Sequence, residues 1–321
     1  MSLGINTTTP EGIVLAADSR QSYRNMKGMS RIGSDSATKI FKIGDRMGVI
    51  VTGLAFLPDN GVVKNISRFI EEFTDTLVAP SMTVAETSDK LKSFFEKKYD
   101  YKEQLKALPT TIKANLDRQG LKLLDIKIEK DHVKFQFEGS DGVARDGVGG
   151  VDQLQFIVAG FDKDNSHHVN MVYVPGENEE KRNSSKRGQE YGASWIGQSD
   201  VVTRIVLGFD SRIQNLPFIQ KLAQAQSGPQ VLKEQLAQLE YLIQWGTMTL
   251  QDGIDFSVLA IETTKAMQRF SDGIQGDPGD IPGVGGPVDV AVITPEGFRW
   301  VTKKTVGIGS QKINLHDKIP A

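Results

Sequence analysis

The sequence predicts an α+β fold in four layers, α-β-β-α, with an added helix and β-hairpin segment. Two observations carry this. Hydrophobic periodicity runs in the order strands, two helices, strands, helices, strands, which places helices on both sides of packed sheets. The 321 residues permit two domains at roughly 150 residues each, but strand patterns recur at both ends of the chain. One domain over 1–321, lengthened by an insertion at 97–152, therefore accounts for them.

The elements follow in chain order. Ile13–Ala17 is a short apolar run after Pro10-Glu11-Gly12, which is turn chemistry. Ile40 to Ile43 and Met47 to Val51 flank Gly44-Asp45, a hairpin signal. Val62, Val63, Ile66, Phe69, Ile70, Phe73 and Leu77 keep helical spacing, and Pro80 separates them from a second helix. Thr83-Val84-Ala85-Glu86 fits a capping box ahead of Leu91, Phe94 and Phe95. In 97–152, charged helical material from Tyr99 to Arg118 leads to two alternating runs. These are Leu124, Ile126, Ile128 and Val133, Phe135, Phe137, with Glu129-Lys130-Asp131 between them. They read as a β-hairpin, ended by glycine-rich Ser140 to Gly150.

Leu154 to Gly160 and His168 to Val174 return to strand patterns. Glu177 to Glu190 reads as a solvated mixed-charge loop. Ser199-Asp200 caps a helix through Leu207, Leu232 to Ile243 marks another, and Thr249 caps a long one carrying Leu250, Ile254, Val258 and Ile261. Ser271 to Gly286, rich in Gly and Pro, is a loop. Val288 to Ile293 and Phe298 to Thr302 close the chain as strands around Pro295-Glu296-Gly297. The echo of Thr9-Pro10-Glu11-Gly12 in Thr294-Pro295-Glu296-Gly297 reflects shared hairpin geometry rather than a repeat.

Composition excludes several classes of function. There is no cysteine, so disulfide scaffolds, thiol nucleophiles and thiolate metal sites are out. The four His residues show no metal-ligand spacing, and neither a metal nor a cofactor is expected. Lys plus Arg is 38 against 40 Asp plus Glu, a formal net charge of -2, which argues against nucleic acid as a partner. No apolar run approaches the about twenty residues a membrane helix needs, and no basic-then-apolar leader opens the chain. These features predict a cytoplasmic protein that does not enter membranes.

Familiar catalytic motifs are missing. Gly283-Val284-Gly285-Gly286 enters a strand rather than a helix, so it is no phosphate cradle. No Gly-x-Ser-x-Gly elbow occurs. His167-His168 reads as part of a polar surface loop. Asp18 and Arg20 directly follow the apolar run that ends at Ala17, and Lys39 stands before Ile40-Phe41. A Lys at a strand start is commonly solvated, and Asp18 with Arg20 fits a plain strand-end ion pair; the residues alone leave these readings open.

Together these segments resemble proteasome β-type subunits. Thr8 to Gly12, followed by Ile13 to Ala17 and Asp18-Ser19-Arg20, resembles the family's opening: a Thr-rich strand, a turn ending in Gly, then a strand ending Ala-Ala-Asp-Ser-Arg. Lys39-Ile40-Phe41-Lys42-Ile43 resembles the strand bearing its catalytic lysine, and Thr52-Gly53-Leu54-Ala55 its oxyanion segment. Phe156 to Asp162 resembles a later core strand, Trp195 to Ser199 a turn opening a helix, and Gly285 to Ile293 the penultimate strand. The matches fall in family order outside 97–152 and about 210–230.

The resemblance implies an N-terminal nucleophile hydrolase that cleaves peptide amide bonds. The first residue of the mature chain supplies the hydroxyl nucleophile and, through its α-amino group, the base. By motif, Lys39 is the activating ammonium, Asp18 orients it, Arg20 buttresses the site and the Gly53 N–H is the oxyanion donor. The resemblance also implies a homo-oligomeric ring, a peptide or unfolded-protein substrate and an ATP-driven unfoldase as partner. A catalytically inactive scaffold subunit and a hydrolase of small amides are the rival readings.

The sequence departs from the family at the nucleophile and at the far end of the site. The chain begins Met1-Ser2-Leu3-Gly4-Ile5. Counting back from Asp18 without a gap puts Ser2 at the nucleophile position, and Met before Ser is readily removed. A second register aligns Gly4-Ile5 with the family's Gly-Ile; it needs a first hairpin two residues longer and leaves no nucleophile. Met-Ser-Leu is also compatible with a replaced native start, and Thr7, Thr8 or Thr9 would serve only after loss of the first strand. Gln198 or Ser199 takes the helix-opening position. Val284 stands where the family has Ser, and Asp280 is the nearest acid.

Overall fold

The computed structural model describes residues 2–25, 27–225, 228–275, 277–279, 281–308 and 311–313. Its strands are β1 (Leu3–Thr9), β2 (Gly12–Ala17), β3 (Gln21–Arg24), β4 (Ser30–Ser34), β5 (Ile40–Lys42), β6 (Met47–Thr52), β7 (Phe56–Asp59), β8 (Val62–Asn65), β9 (Lys122–Ile128), β10 (His132–Glu138), β11 (Ala144–Gly150), β12 (Leu154–Phe161), β13 (His167–Val174), β14 (Glu179–Asn183), β15 (Gly192–Gly197), the short β16 (Gly273–Ile274) and β17 (Asp277–Pro278), β18 (Asp289–Thr294), β19 (Gly297–Thr302), and the short β20 (Val306–Ile308) and β21 (Gln311–Ile313). The helices are α1 (Ile66–Leu77), α2 (Val84–Lys98), α3 (Tyr101–Arg118), α4 (Asp200–Leu207), α5 (Pro217–Gln224), α6 (Gly228–Ala237) and α7 (Leu250–Phe270).

Two five-stranded antiparallel sheets stack face to face, ordered β15-β1-β2-β18-β19 and β14-β13-β12-β6-β5. Alternation sorts their side chains between layers. From β2, Ile13, Leu15 and Ala17 enter the inter-sheet core with Ile50, Ile157 and Ile293. Val14 and Ala16 face α4 and α7, joining Val202, Val206 and Ile261. From β12, Ile157 and Ala159 look inward, while Phe156 and Val158 pack on α1 and α2 through Phe69, Phe73 and Phe95. Each central strand is buried on both faces, which is why it reads as a continuous apolar run. The four layers, α-β-β-α, are those the sequence predicts.

The two echoed turns are equivalent hairpins, pairing Thr9 with Gly12 and Thr294 with Gly297. Thr83 and Thr249 both form capping boxes, with Glu86 and Asp252. Segment 97–152 builds α3 and its own sheet, β11-β10-β9, so the expected hairpin has a third strand. The glycine-rich stretch is strand because a Cβ on Gly147 would lie 2.3 Å from the Phe135 ring; only a bare backbone fits there.

Further readings are corrected. Val62 and Val63 are exposed residues of β8, not the first turn of a helix. Asn60 and Gly61 both have left-handed φ, 51° and 80°, the geometry of a two-residue hairpin turn. The helix then starts at Ile66, where the Asn65 side chain accepts from the Ser67 N–H. Glu177 to Glu190 contains β14, an edge strand on β13, and its charges suit an unpaired edge. His167 and His168 lie in β13 rather than a loop. His167 is buried, with Nε2 2.7 Å from the Glu190 carbonyl, and burial lowers its pKa. Helix α6 ends at Ala237, so Leu239, Leu242 and Ile243 lie beyond it. Among the described residues of 271–286, the short β16–β17 ladder interrupts the expected loop. Among the described residues no helix is long and apolar enough to cross a membrane.

Candidate active site

The site lies where β1 begins and β2 ends. The two strands pair without slack from Thr9–Gly12 to Gly4–Ala17. The ladder's last bonds are the Asp18 N–H to the Leu3 carbonyl, 3.2 Å, and the Leu3 N–H to Asp18 Oδ1, 2.9 Å. This fixes Ser2 one residue beyond the point where the Asp18 carboxylate emerges. The turn between the two strands is the two residues Pro10 and Glu11. Lys39 sits at the head of β5, its carbonyl accepting from the Val51 N–H at 2.9 Å, and its Nζ is 2.6 Å from Asp18 Oδ1.

Asp18 is held by four donors. Lys39 Nζ and the Leu3 N–H reach Oδ1; the Arg20 N–H, 3.1 Å, and the Gly285 N–H, 2.9 Å, reach Oδ2. Four donors hold this carboxylate in one orientation, because each lone-pair direction is answered and a charged partner strengthens the bonding. Burial, the largest influence, lowers the Lys39 pKa, and the nearby Lys304 and Arg20 charges act in the same direction; Asp18 opposes them. Arg20 grips Asp35 with two nitrogens, at 2.6 and 2.9 Å, and donates to the Pro282 carbonyl at 3.2 Å. The hydrogen bond that Arg20 donates to Asp35 raises the Arg20 pKa.

Ser2, Arg20, Lys39, Thr52 and Gly53 line one small open cleft of about 30 Å³. Ser2 is only 7% exposed, and its carbonyl accepts from the Gln198 N–H at 2.7 Å. Gly53 directly follows β6 with φ at +94°, and a Cβ there would stand 1.9 Å from the Gln153 carbonyl oxygen. Gly53→Ala is therefore expected to push the Thr52–Gly53 segment out of place and to cost about 1–3 kcal/mol from the strained φ alone. Urea denaturation measures it, and an unchanged midpoint would refute the steric argument.

The other sequence candidates fall elsewhere. Ser199 is the N-cap of α4; its side chain makes no capping bond, and it does not line the cleft. Asp280 lies outside the described residues. Thr7, Thr8 and Thr9 are buried within β1, Thr7 Oγ1 lying 2.9 Å from Ser257 Oγ.

Sequence reasoning passed over a second buried ion pair behind the first. Asp289, at the head of β18, binds Lys304 through both the Lys304 N–H and Nζ, and Nζ also donates to Ser19 Oγ at 3.1 Å. An Asp opening the apolar run Val290 to Ile293 was the available signal for one partner. Nothing in the sequence around Lys303-Lys304 marks the other.

No family model matches the chain, and no curated protein matches it. Similar solved structures include Anbu (ancestral beta-subunit) from Yersinia bercovieri, 10% identical, with 94% of this chain and 87% of that chain covered and a TM-score of 0.44. Anbu from Hyphomicrobium sp. strain MC1 is 11% identical, with 98% and 89% covered and a TM-score of 0.43.

Proposed function

We propose that the chain is a proteasome-like N-terminal nucleophile hydrolase that cleaves peptide amide bonds. The observation that carries this reading is the placement of Ser2, directly ahead of β1, in the same cleft as a buried lysine locked to a buried aspartate. Once Met1 is removed, Ser2 carries both a hydroxyl and an α-amino group of ordinary pKa about 8. The hydroxyl attacks the peptide carbonyl carbon, and its proton passes to the α-amine directly or through water. The C–N bond then breaks as the leaving amine takes that proton, and water hydrolyses the ester.

Lys39 stabilises the developing alkoxide by its charge, which the low-dielectric surroundings leave poorly screened. Asp18 holds Lys39 in place, Arg20 braces the loop through Asp35, and the Gly53 N–H answers the oxyanion. Val284, where the family has Ser, and Gln198 at the helix opening give this site fewer hydroxyls than the family pattern. A peptide or unfolded-protein substrate, a homo-oligomeric ring, an ATP-driven unfoldase and a cytoplasmic setting belong to the same reading, as does 97–152 as an insertion in one domain.

An electrophilic inhibitor that needs both a hydroxyl and an adjacent amine tests the proposal. Intact mass is expected to show loss of Met1 and one adduct, mapped to Ser2. Met1 retained on the native protein would sink the hydrolase and leave the scaffold reading.

A further inference from the structure

We propose that the buried Asp289–Lys304 pair is a positioning element for the Lys39–Asp18 pair, acting by clamping Ser19; this rests on the hydrolase reading above. Asp289 is 1% exposed and lies opposite Ala17 in the β2–β18 ladder, so its carboxylate stands beside the end of β2. Lys304 follows β19 and gives Asp289 two bonds, keeping a third for the Ser19 hydroxyl.

Ser19 is the junction of the site. It is fully buried; its N–H donates to the Gly285 carbonyl, and its carbonyl accepts from the Ala37 N–H, both at 2.9 Å. Three members of the site therefore hang from it: Asp18 as its chain neighbour, the Gly285 amide that holds Asp18 Oδ2, and the Ala37 segment that leads to Lys39. Moving Ser19 moves both ends of the 2.6 Å Lys39–Asp18 contact. A Lys at this point fixes the junction with a charge that burial leaves strong, where a neutral donor would only fill a hydrogen bond.

The charged groups around Lys39 are Asp18 against its Nζ, the Arg20–Asp35 pair beside it and Lys304 behind; Lys304 faces Asp289, with Lys303 next in the chain over the Trp300 ring. Removing the Lys304 charge takes away a repulsion that Lys39 feels, so Lys39 holds its proton more firmly.

The test follows the side-chain ¹³Cε resonance of Lys39 through a pH titration of the full chain, assigned with Lys39→Arg. It compares wild type with Lys304→Met, Lys304→Arg and the double variant Asp289→Asn/Lys304→Met. The double variant keeps the fold accessible, because exchanging a buried ion pair for neutral groups of similar size is tolerated. The Lys39 midpoint is expected to fall in the double variant, where the two lost charges offset each other and the Asp18 contact that raises it loosens, to lie higher in Lys304→Met, which also loses a repulsion, and to stay near wild type in Lys304→Arg. On a peptide substrate, kcat is expected to fall roughly tenfold or more at unchanged KM, as small misplacements of reacting groups do. An unmoved Lys39 midpoint in the double variant overturns the proposal. Absence of turnover in wild type, with the midpoint still shifted, strikes the hydrolase reading and leaves the positioning role standing.

Discussion

Ser2→Ala is expected to abolish peptide hydrolysis, with kcat falling on the order of 10⁵-fold or more, the loss typical of deleting a hydroxyl nucleophile. The variant is well controlled by the structure. Ala before a removable Met still yields a free α-amine, so the base is retained while the nucleophile is lost. Ser2 is 7% exposed and its carbonyl is held by the Gln198 N–H, so the substitution removes one oxygen and leaves the backbone contact. Ser2→Thr keeps the hydroxyl and is expected to keep turnover. The measurement is single-turnover cleavage of a fluorogenic peptide, with intact mass to verify removal of Met1. Full activity in Ser2→Ala would eliminate Ser2 as nucleophile; inactivity of the wild type alongside stable oligomers would favour the scaffold.

Asp18→Asn is expected to be strongly destabilising, costing about 3–5 kcal/mol, the range for breaking a buried ion pair by removing one partner. Asp18 accepts from three backbone N–H groups and Lys39 Nζ. An amide has one acceptor oxygen for these four donors, and its NH₂ points a further donor at them. Lys39 is left buried and charged without its counter-ion, so its pKa, already lowered by burial from the ordinary 10.5, falls further.

The sign of the pH effect follows. Between the lowered folded value and the unfolded value near 10.4, the unfolded chain binds the Lys39 proton and the folded chain has released it. Stability attributable to Lys39 therefore rises with pH across that window, and does so over a wider window in Asp18→Asn than in wild type. Urea midpoints collected from neutral to alkaline pH, at constant m, check both statements. A loss under about 1 kcal/mol at neutral pH would show that the pair is not the buried keystone that its four bonds imply.

Features that depend on near neighbours were legible in the sequence. The capping box at Thr83 and the cap at Thr249 need residues three apart, and the hairpins around Pro10-Glu11 and Pro295-Glu296 need four. Continuous apolar runs such as Ile13 to Ala17 announced strands covered on both faces. Even the Asn60-Gly61 turn was there to be read, but the apolar spacing across Val62, Val63 and Ile66 outweighed it. Strands β11 and β14 were hidden for a different reason: glycine and charge dominate them, and only the Phe135 ring and the edge position beside β13 make those residue types suitable.

The site divides along the same line. Asp18, Arg20, Lys39 and Gly53 stand at the ends of apolar runs, so their positions along the chain were determined by the sequence itself, as was the four-layer order of elements. The tertiary structure alone decided that Ser2 shares a cleft with Lys39, that Ser199 does not line it, and that the Gly285 amide, Asp289 and Lys304 support Asp18 and Ser19 from behind. These contacts join residues 15 to 285 positions apart. No periodicity spans such distances. They exist because two sheets, each buried on both faces, bring the ends of β1, β2, β6 and β18 to one edge, where a buried charge must find its partner or remain unpaired.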